Sequence, residues 1–164
     1  MRLLFRELEP GDIALCTEWM AHSEPWQTLG FESVRCERAL RREGLEKWLA
    51  VSEEGLVVGF ALLNFSGAFV GYLQTLCVAP EYRGCGVGSA LLGFVEEQVF
   101  ARHANFFLCV SDFNDGAQRL YARHGFIEVG RLDDYLVPGH AELLLRKTRG
   151  PIFLPPSPRT AGEL

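Results

Sequence analysis

A glycine-rich turn carries the clearest chemical signal in this sequence of 164 residues. It reads Arg83-Gly84-Cys85-Gly86-Val87-Gly88-Ser89 and lies between an apolar strand pattern and an amphipathic helix pattern. Peptide N–H groups at the start of a helix lack intrahelical partners, and the helix dipole places about +0.5 charge there. Glycines allow a ligand to approach that backbone closely. The turn therefore predicts a binding site for a phosphate or pyrophosphate.

Three anion-binding motifs compete for this segment. A P-loop requires Gly-Lys, a pair that does not occur in the sequence. A dinucleotide-binding turn requires a sixth-position glycine, but Ser89 and Leu91 stand there when counting starts at Gly84 or Gly86. The third motif is Arg-Gly-x-Gly-x-Gly after a strand that ends in Val-Ala-Pro. Residues 76–92 fit it and resemble the acetyl-coenzyme A motif of the GCN5-related N-acetyltransferase (GNAT) family.

A second block resembles the same family. Asn114 stands seven residues before Tyr121, and Gly125-Phe126 follows. The resemblance covers residues 56–147. It implies an N-acetyltransferase that uses acetyl-CoA as co-substrate and needs no metal. The run from Tyr72 to Leu76 is similar to a strand of certain ribosomal-protein and N-terminal amino-acid acetyltransferases.

Hydrophobic periodicity predicts an α/β domain. Strands are expected at residues 3–8, 47–52, 56–65, 68–78, 105–111, 126–132 and 141–147, and helices at 10–20, 33–43, 86–103 and 116–124. Together with the resemblance, this order predicts a mixed, mostly antiparallel twisted sheet of about seven strands. Helices cover both faces, and the central parallel pair is splayed. We expect one acetyltransferase domain at residues 1–149 and a proline-rich tail at 150–164, whose residues 152–154 either dock on a subunit or are disordered.

Composition excludes several function classes. The formal net charge of −5 argues against a nucleic-acid binder. No apolar run approaches the roughly 18 residues of a membrane span, so a cytoplasmic protein without membrane contact is expected. The five cysteines include no Cys-x-x-Cys pair, which argues against a disulfide framework or a zinc site. The oligomeric state is open, and a homodimer is compatible with the sequence.

The resemblance assigns cofactor-binding residues. The pyrophosphate is expected on the backbone of the turn, and the pantetheine arm along the strand before it. The residues concerned are Leu76, Cys77, Val78, Arg83, Gly84, Cys85, Gly86, Val87, Gly88, Ser89, Asn114 and Tyr121. The alternative is that the glycines serve only helix–strand packing. Asn114 could equally cap the following helix.

Amine acetylation requires a neutral nitrogen and a protonated or stabilised leaving thiolate. Tyr121 is the expected acid, because a phenol of pKa near 10 stays protonated at neutral pH; its alternative role is a core aromatic. The positions at which relatives place a base hold Cys109 and Tyr72, and Tyr72 is the expected catalytic partner through a water relay. Deprotonating an α-amine at pH 7 costs roughly 1 kcal/mol, against about 4.6 kcal/mol for lysine.

The acceptor is expected between the loops at residues 21–31 and 133–140. Candidate substrate contacts are Glu24, Trp26, Tyr72 and Tyr135, with His140 also available and Asp133 and Asp134 as possible amine ligands. Alternatively, the acidic residues are ordinary solvated loop residues, and Trp26 closes the hydrophobic core without contacting a substrate.

The sequence is compatible with three functions. The first is direct acetyl transfer to a protein or peptide N-terminus or a small amine. The second is a coenzyme A-binding module with little catalysis, suggested by the missing base. The third is ping-pong transfer through Cys85 or Cys109.

Overall fold

The computed structural model describes residues 2–153, which form seven strands and four α-helices. The strands are β1 (Leu3–Glu7), β2 (Leu45–Ser52), β3 (Val57–Asn64), β4 (Tyr72–Val78), β5 (Asn105–Ser111), β6 (Ile127–Asp133) and β7 (Ala141–Thr148). The helices are α1 (Ile13–Ala21), α2 (Ser33–Arg41), α3 (Val87–Phe100) and α4 (Asp115–Arg123). Short 3-10 turns at Pro10–Asp12 and Pro80–Tyr82 precede α1 and the glycine turn.

All seven strands belong to one sheet, in the order β1-β2-β3-β4-β5-β7-β6. Every neighbouring pair is antiparallel except β4 and β5, which run parallel. The chain crosses through α3 before β5 joins the sheet beside β4. The prediction of a mixed, mostly antiparallel sheet with one central parallel pair is confirmed.

Helices cover both faces of the sheet. On one face, Leu91 of α3 and Tyr121 of α4 belong to the same buried cluster as Phe106 of β5. On the other face, helices α1 and α2 bury Met20 and Leu40 around Phe60 of β3. Because neighbouring residues of a strand point to opposite faces, the sheet contributes side chains to both clusters. The predicted placement of helices on both faces is confirmed.

The helix patterns are partly as expected. Val87, Leu91, Val95 and Val99 follow the four-residue spacing of an amphipathic helix, and all four are buried in α3. In α1 the buried face is narrow, because Ile13, Cys16 and Met20 are buried whereas the apolar Leu15 is exposed. None of the helices in residues 2–153 has the length and apolar character needed to span a membrane.

Strand β4 is shorter than the sequence predicts. It begins at Tyr72 and not at residue 68. The reason is that Gly67 and Gly71 adopt left-handed backbone conformations, with φ of 88° and 79°. A Cβ atom at Gly71 would lie 2.7 Å from the carbonyl oxygen of Asn105, so the chain turns tightly against β5 at this point.

The start of the proline-rich tail does not dock on this chain. Ile152 and Phe153 are 68% and 84% exposed, which contradicts their docking on the same subunit. Leu154 and the rest of the tail, residues 154–164, lie outside the described part of the chain.

Candidate active site

Strands β4 and β5 run together for only a short distance. The parallel ladder joins Tyr72 to Phe107 and Leu73 to Leu108, and the strands separate beyond it. The carboxyl half of β4 therefore has backbone groups on its β5 side with no strand partner among residues 2–153. The splayed pair that the resemblance implies is present.

A β-bulge lies at the same place. Leu62 pairs with Thr75 and Leu63 with Leu73, so Gln74 is an extra residue in β4. A bulge bends its strand and redirects the neighbouring side chains. It places residues from both faces of β4 around the gap between β4 and β5.

The glycine turn has the geometry expected of an anion site. Gly84 and Gly86 have φ of 76° and 85°, and Gly86 is the N-cap residue of α3. A Cβ atom would meet nothing within 4 Å at either position, and only ordinary contacts at Gly88. Packing therefore does not explain these glycines. The left-handed backbone at Gly84 and Gly86 favours glycine at these two positions. The open space in front of the helix N-terminus leaves room for an anion.

Arg83 folds back along the sheet. Its Nε donates to the carbonyl oxygen of Val78 at 3.3 Å, and its Nη2 donates to Ser23 Oγ at 2.5 Å. The side chain thereby links the end of β4 to the loop after α1. Arg83 also lines the cavity in front of the turn.

The predicted cofactor residues surround one cavity of about 610 Å³. Its wall includes Leu76, Cys77, Val78, Arg83, Gly84, Gly86, Gly88, Ser89 and Asn114. Cys85 and Val87 do not line it, and Val87 is buried in the core. Arg119 and Arg123 of α4, which were not predicted from the sequence, add positive charge to this wall. Their spacing of four residues on one helix face is the signal that could have indicated them.

Tyr121 and Asn114 are held by α4. Asn114 Oδ1 accepts a hydrogen bond from the Ala117 N–H at 3.3 Å, so the capping interpretation is correct whether or not Asn114 also binds a ligand. Tyr121 is 7% exposed and packs edge-on against Phe126. It lines a second, inner cavity of about 310 Å³. Burial raises the pKa of its phenol well above the ordinary value.

The predicted acceptor residues meet in this inner cavity. Glu24, Trp26, Tyr72 and Tyr135 all line it. Tyr72 and Tyr135 also border an outer cavity of about 430 Å³, which Arg42 and Phe69 complete. The inner cavity is thus lined by predicted cofactor residues and by predicted acceptor residues. The outer cavity next to it is lined in part by aromatic side chains.

Cys109 and Tyr72 lie close together on neighbouring strands, and both line the inner cavity. Burial raises the pKa of the Tyr72 phenol, and the adjacent Cys109 raises it further. Burial also raises the pKa of the Cys109 thiol. Both groups therefore stay protonated at neutral pH, which suits neither a phenolate base nor a thiolate nucleophile.

The structure adds a carboxylate that the sequence analysis missed. Glu142 is the second residue of β7, is 6% exposed, and lines the inner cavity. Ser111 Oγ donates a hydrogen bond to its Oε1 at 2.5 Å. A lone acidic residue ahead of Leu143, Leu144 and Leu145 in a strand is the signal that could have indicated it.

Three other candidate acceptor ligands are engaged elsewhere. Asp133 pairs with Arg131 at 2.7 Å, and Asp134 Oδ1 accepts from the Gly139 N–H at 2.7 Å. His140 lies 3.5 Å from Asp112 and stacks edge-on with Phe113. None of the three lines the inner or outer cavity. Within residues 2–153, no group of three His, Cys, Asp or Glu side chains is arranged to hold a metal ion.

Comparisons with known proteins agree with this geometry. The family model described as Acetyltransferase (GNAT) family matches residues 13–126. A curated relative, the peptidyl-lysine N-acetyltransferase YjaB of Escherichia coli (strain K12), is 34% identical over 84 residues. That match covers 51% of this chain and 51% of the relative, so the chain spans about half the length of that protein.

Two solved structures share the fold. The ribosomal-protein-S18-alanine N-acetyltransferase from Escherichia coli superimposes with a TM-score of 0.70 and 20% identity, over 95% of this chain and 97% of that one. The spermidine N-acetyltransferase from Vibrio cholerae, in complex with CoA and spermine, gives a TM-score of 0.71 and 18% identity. That alignment covers 89% of this chain and 95% of the other.

The glycine turn yields a testable prediction. We expect Gly86→Ala to lower the affinity for coenzyme A at least tenfold, because a left-handed alanine costs about 1–2 kcal/mol and shifts the N–H groups of the turn. Gly44→Ala is the matched control, since Gly44 has φ of 76° and equally open surroundings outside the cavities. Calorimetric titration measures both variants. Equal affinity in the two would contradict an anion-binding role for the turn.

Proposed function

The chain belongs to the Acetyltransferase (GNAT) family, and on that premise we propose that it is an acetyl-CoA-dependent N-acetyltransferase. The acetyl group passes directly to a primary amine, within a complex that holds both substrates. The observation that carries this proposal is the shared wall between the cofactor cavity and the inner cavity. Both are lined by Leu76, Asn114 and Leu120, so a thioester lying along β4 can reach the acceptor side.

The chain's own backbone suits coenzyme A. The N–H groups at the start of α3 receive the pyrophosphate, and Arg83, Arg119 and Arg123 add positive charge beside it. The pantetheine arm pairs with the unpartnered edge of β4 at residues 76–78, as an added strand would. This places the sulfur near the inner cavity and Tyr121.

Tyr121 is proposed as the acid for the leaving thiolate. Its raised pKa keeps the phenol protonated throughout the neutral range, so a proton is available when the carbon–sulfur bond breaks. Tyr72 is proposed to hold a water or the acceptor amine by hydrogen bonding, since its own raised pKa excludes it as a strong base.

The preferred acceptor in this proposal is the α-amine of a protein or peptide. A small amine is the second candidate. The inner cavity of about 310 Å³ opens into an outer cavity of about 430 Å³, which leaves room for residues behind the reacting nitrogen. Glu24 and Trp26 of the loop after α1 and Tyr135 of the loop before β7 are proposed to border it. The lower cost of deprotonating an α-amine, roughly 1 kcal/mol at pH 7, favours it over lysine.

Two observations favour the proposed function over the two alternatives. A binding module without catalysis was suggested by the absence of a carboxylate, and Glu142 supplies one at the inner cavity. Transfer through Cys109 is disfavoured by its raised pKa, and Cys85 is exposed outside the cofactor cavity wall.

A thiol-release assay tests the proposed function. Matched peptides offer a free α-amine with blocked lysine, or a blocked α-amine with free lysine, and spermidine is a third acceptor. We expect acetyl-CoA consumption with the free α-amine peptide and an added acetyl group on its first residue by mass spectrometry. Binding of coenzyme A without amine-dependent thiol release would identify a binding module.

Tyr121→Phe provides a second prediction. The ring and its packing against Phe126 remain, and only the hydroxyl is lost. We expect kcat to fall about 100-fold while the affinity for coenzyme A changes less than twofold, since general-acid groups contribute about 10²–10⁴-fold. An unchanged kcat would remove Tyr121 from its assigned role.

A further inference from the structure

Glu142 is a buried charge that the proposed chemistry has not yet used. On β7, Leu143 and Leu145 belong to the buried cluster under α3, so Glu142 and Leu144 point to the opposite face of the sheet. Glu142 is 6% exposed and lies on the wall of the inner cavity. Acidic side chains are rarely buried to this extent unless they are paired.

No cation in the described part of the chain pairs with Glu142. Its Oε1 accepts from Ser111 Oγ at 2.5 Å, which is the one side-chain hydrogen bond it makes among residues 2–153. The nearby acid Asp112 differs, because Arg131 lies 3.2 Å from it and the Ala141 N–H donates to it at 3.1 Å. Glu142 thus has a free oxygen and an uncompensated negative charge at the cavity. A cationic ligand would compensate that charge.

The groups around Glu142 shift the pKa of its carboxyl group. Burial raises its pKa, Asp112 raises it further, and the Ser111 hydrogen bond opposes the rise. The titratable groups that line its cavity are Glu24, Tyr72, Cys109, Tyr121 and Tyr135, and Asp112 lies nearby, where it pairs with Arg131 and His140. Of these, Asp112 is held ionised by Arg131 and the Ala141 backbone, and Tyr72, Cys109 and Tyr121 stay neutral.

We propose that Glu142 binds the ammonium group of the acceptor and takes its proton before the attack on the thioester, with Ser111 as the residue that positions the carboxylate. The proposal rests on the function proposed above. A carboxylate whose pKa lies closer to that of an amine is a better-matched base than an exposed one. Glu142 thereby fills the role for which the sequence offered no residue at Cys109 or Tyr72.

The proton balance follows from this arrangement. The acceptor enters as an ammonium ion, and Glu142 removes one proton. The neutral nitrogen then attacks the thioester carbonyl; a carbon–nitrogen bond forms and the carbon–sulfur bond breaks. Tyr121 gives its proton to the departing thiolate, and the second proton lost by the nitrogen restores the phenol. Glu142 finally releases its proton to solvent, so the products are the amide, coenzyme A and one proton.

Glu142→Gln tests the base directly. Glutamine keeps the shape and can still accept from Ser111, while the charge and basicity are lost. We expect kcat/KM to fall at least 100-fold, with coenzyme A affinity changed less than twofold. The ascending limb of the pH profile of kcat/KM should also move to the pKa of the free acceptor amine, about 7.8 for an α-amine, because the native protein requires ionised Glu142 whereas the variant can use only amine that is already neutral. The control Glu128→Gln alters an exposed acid of β6 outside the cavities and should leave every parameter unchanged.

Ser111→Ala separates a base from a merely structural carboxylate. Loss of the hydrogen bond that favours the charged form should raise the pKa of Glu142, which moves the ascending limb to higher pH while the plateau is kept. If Glu142→Gln retains native kcat/KM and the same ascending limb, Glu142 is not the base.

A binding measurement keeps this proposal independent of turnover. A peptide with a free α-amine is titrated into the complex of the protein with coenzyme A, and Glu142→Gln is expected to bind it at least tenfold more weakly. Should the native protein bind the peptide through Glu142 yet release no thiol with any acceptor, the proposed function fails and the ammonium site stands. Equal peptide affinity in the native protein and the variant overturns the ammonium site.

Discussion

β4 and β5 share only two residue pairs before they separate, and the candidate site depends on that separation. Backbone N–H and C=O groups must find partners, and a sheet interior normally supplies them. Here, within residues 2–153, the end of β4 has no strand partner on its β5 side, although it lies in the middle of the sheet. The antiparallel neighbours on either side, β3 and β7, hold the two strands in place while the gap stays open. An extended ligand can therefore add to the sheet between them.

The gap also connects the two faces of the sheet. On the face covered by α3 and α4, the glycine turn and the α4 arginines offer positive charge to phosphates. On the other face, the inner cavity offers Glu142, a negative charge that lacks a cation among the described residues. This distribution of charge would attract an anionic cofactor and a cationic amine to opposite sides of the gap. In the proposed mechanism the reacting atoms meet beside Tyr121, which lines the inner cavity.

The local parts of this arrangement could be predicted from sequence. The glycine turn, the Asn114 cap and the stripe of α3 each depend on residues close together in the chain, so their spacing indicates them. Glu142 could not be assigned in this way, because the pairing of β5 with β7 brings it to Ser111 from 31 positions away. The start of β4 was predicted too early, since the contact between Gly71 and β5 is also non-local.

A crystal structure with a bisubstrate analogue, coenzyme A joined to the α-amine of a short peptide, tests the central claim most directly. The account predicts that the pantetheine arm pairs with β4 at residues 76–78, with the sulfur within hydrogen-bond distance of the Tyr121 hydroxyl. It further predicts that the amine nitrogen contacts Glu142 directly or through one water, and that the peptide leaves through the outer cavity. A pantetheine arm outside the gap between β4 and β5, or a peptide on the same face as the pyrophosphate, would contradict it.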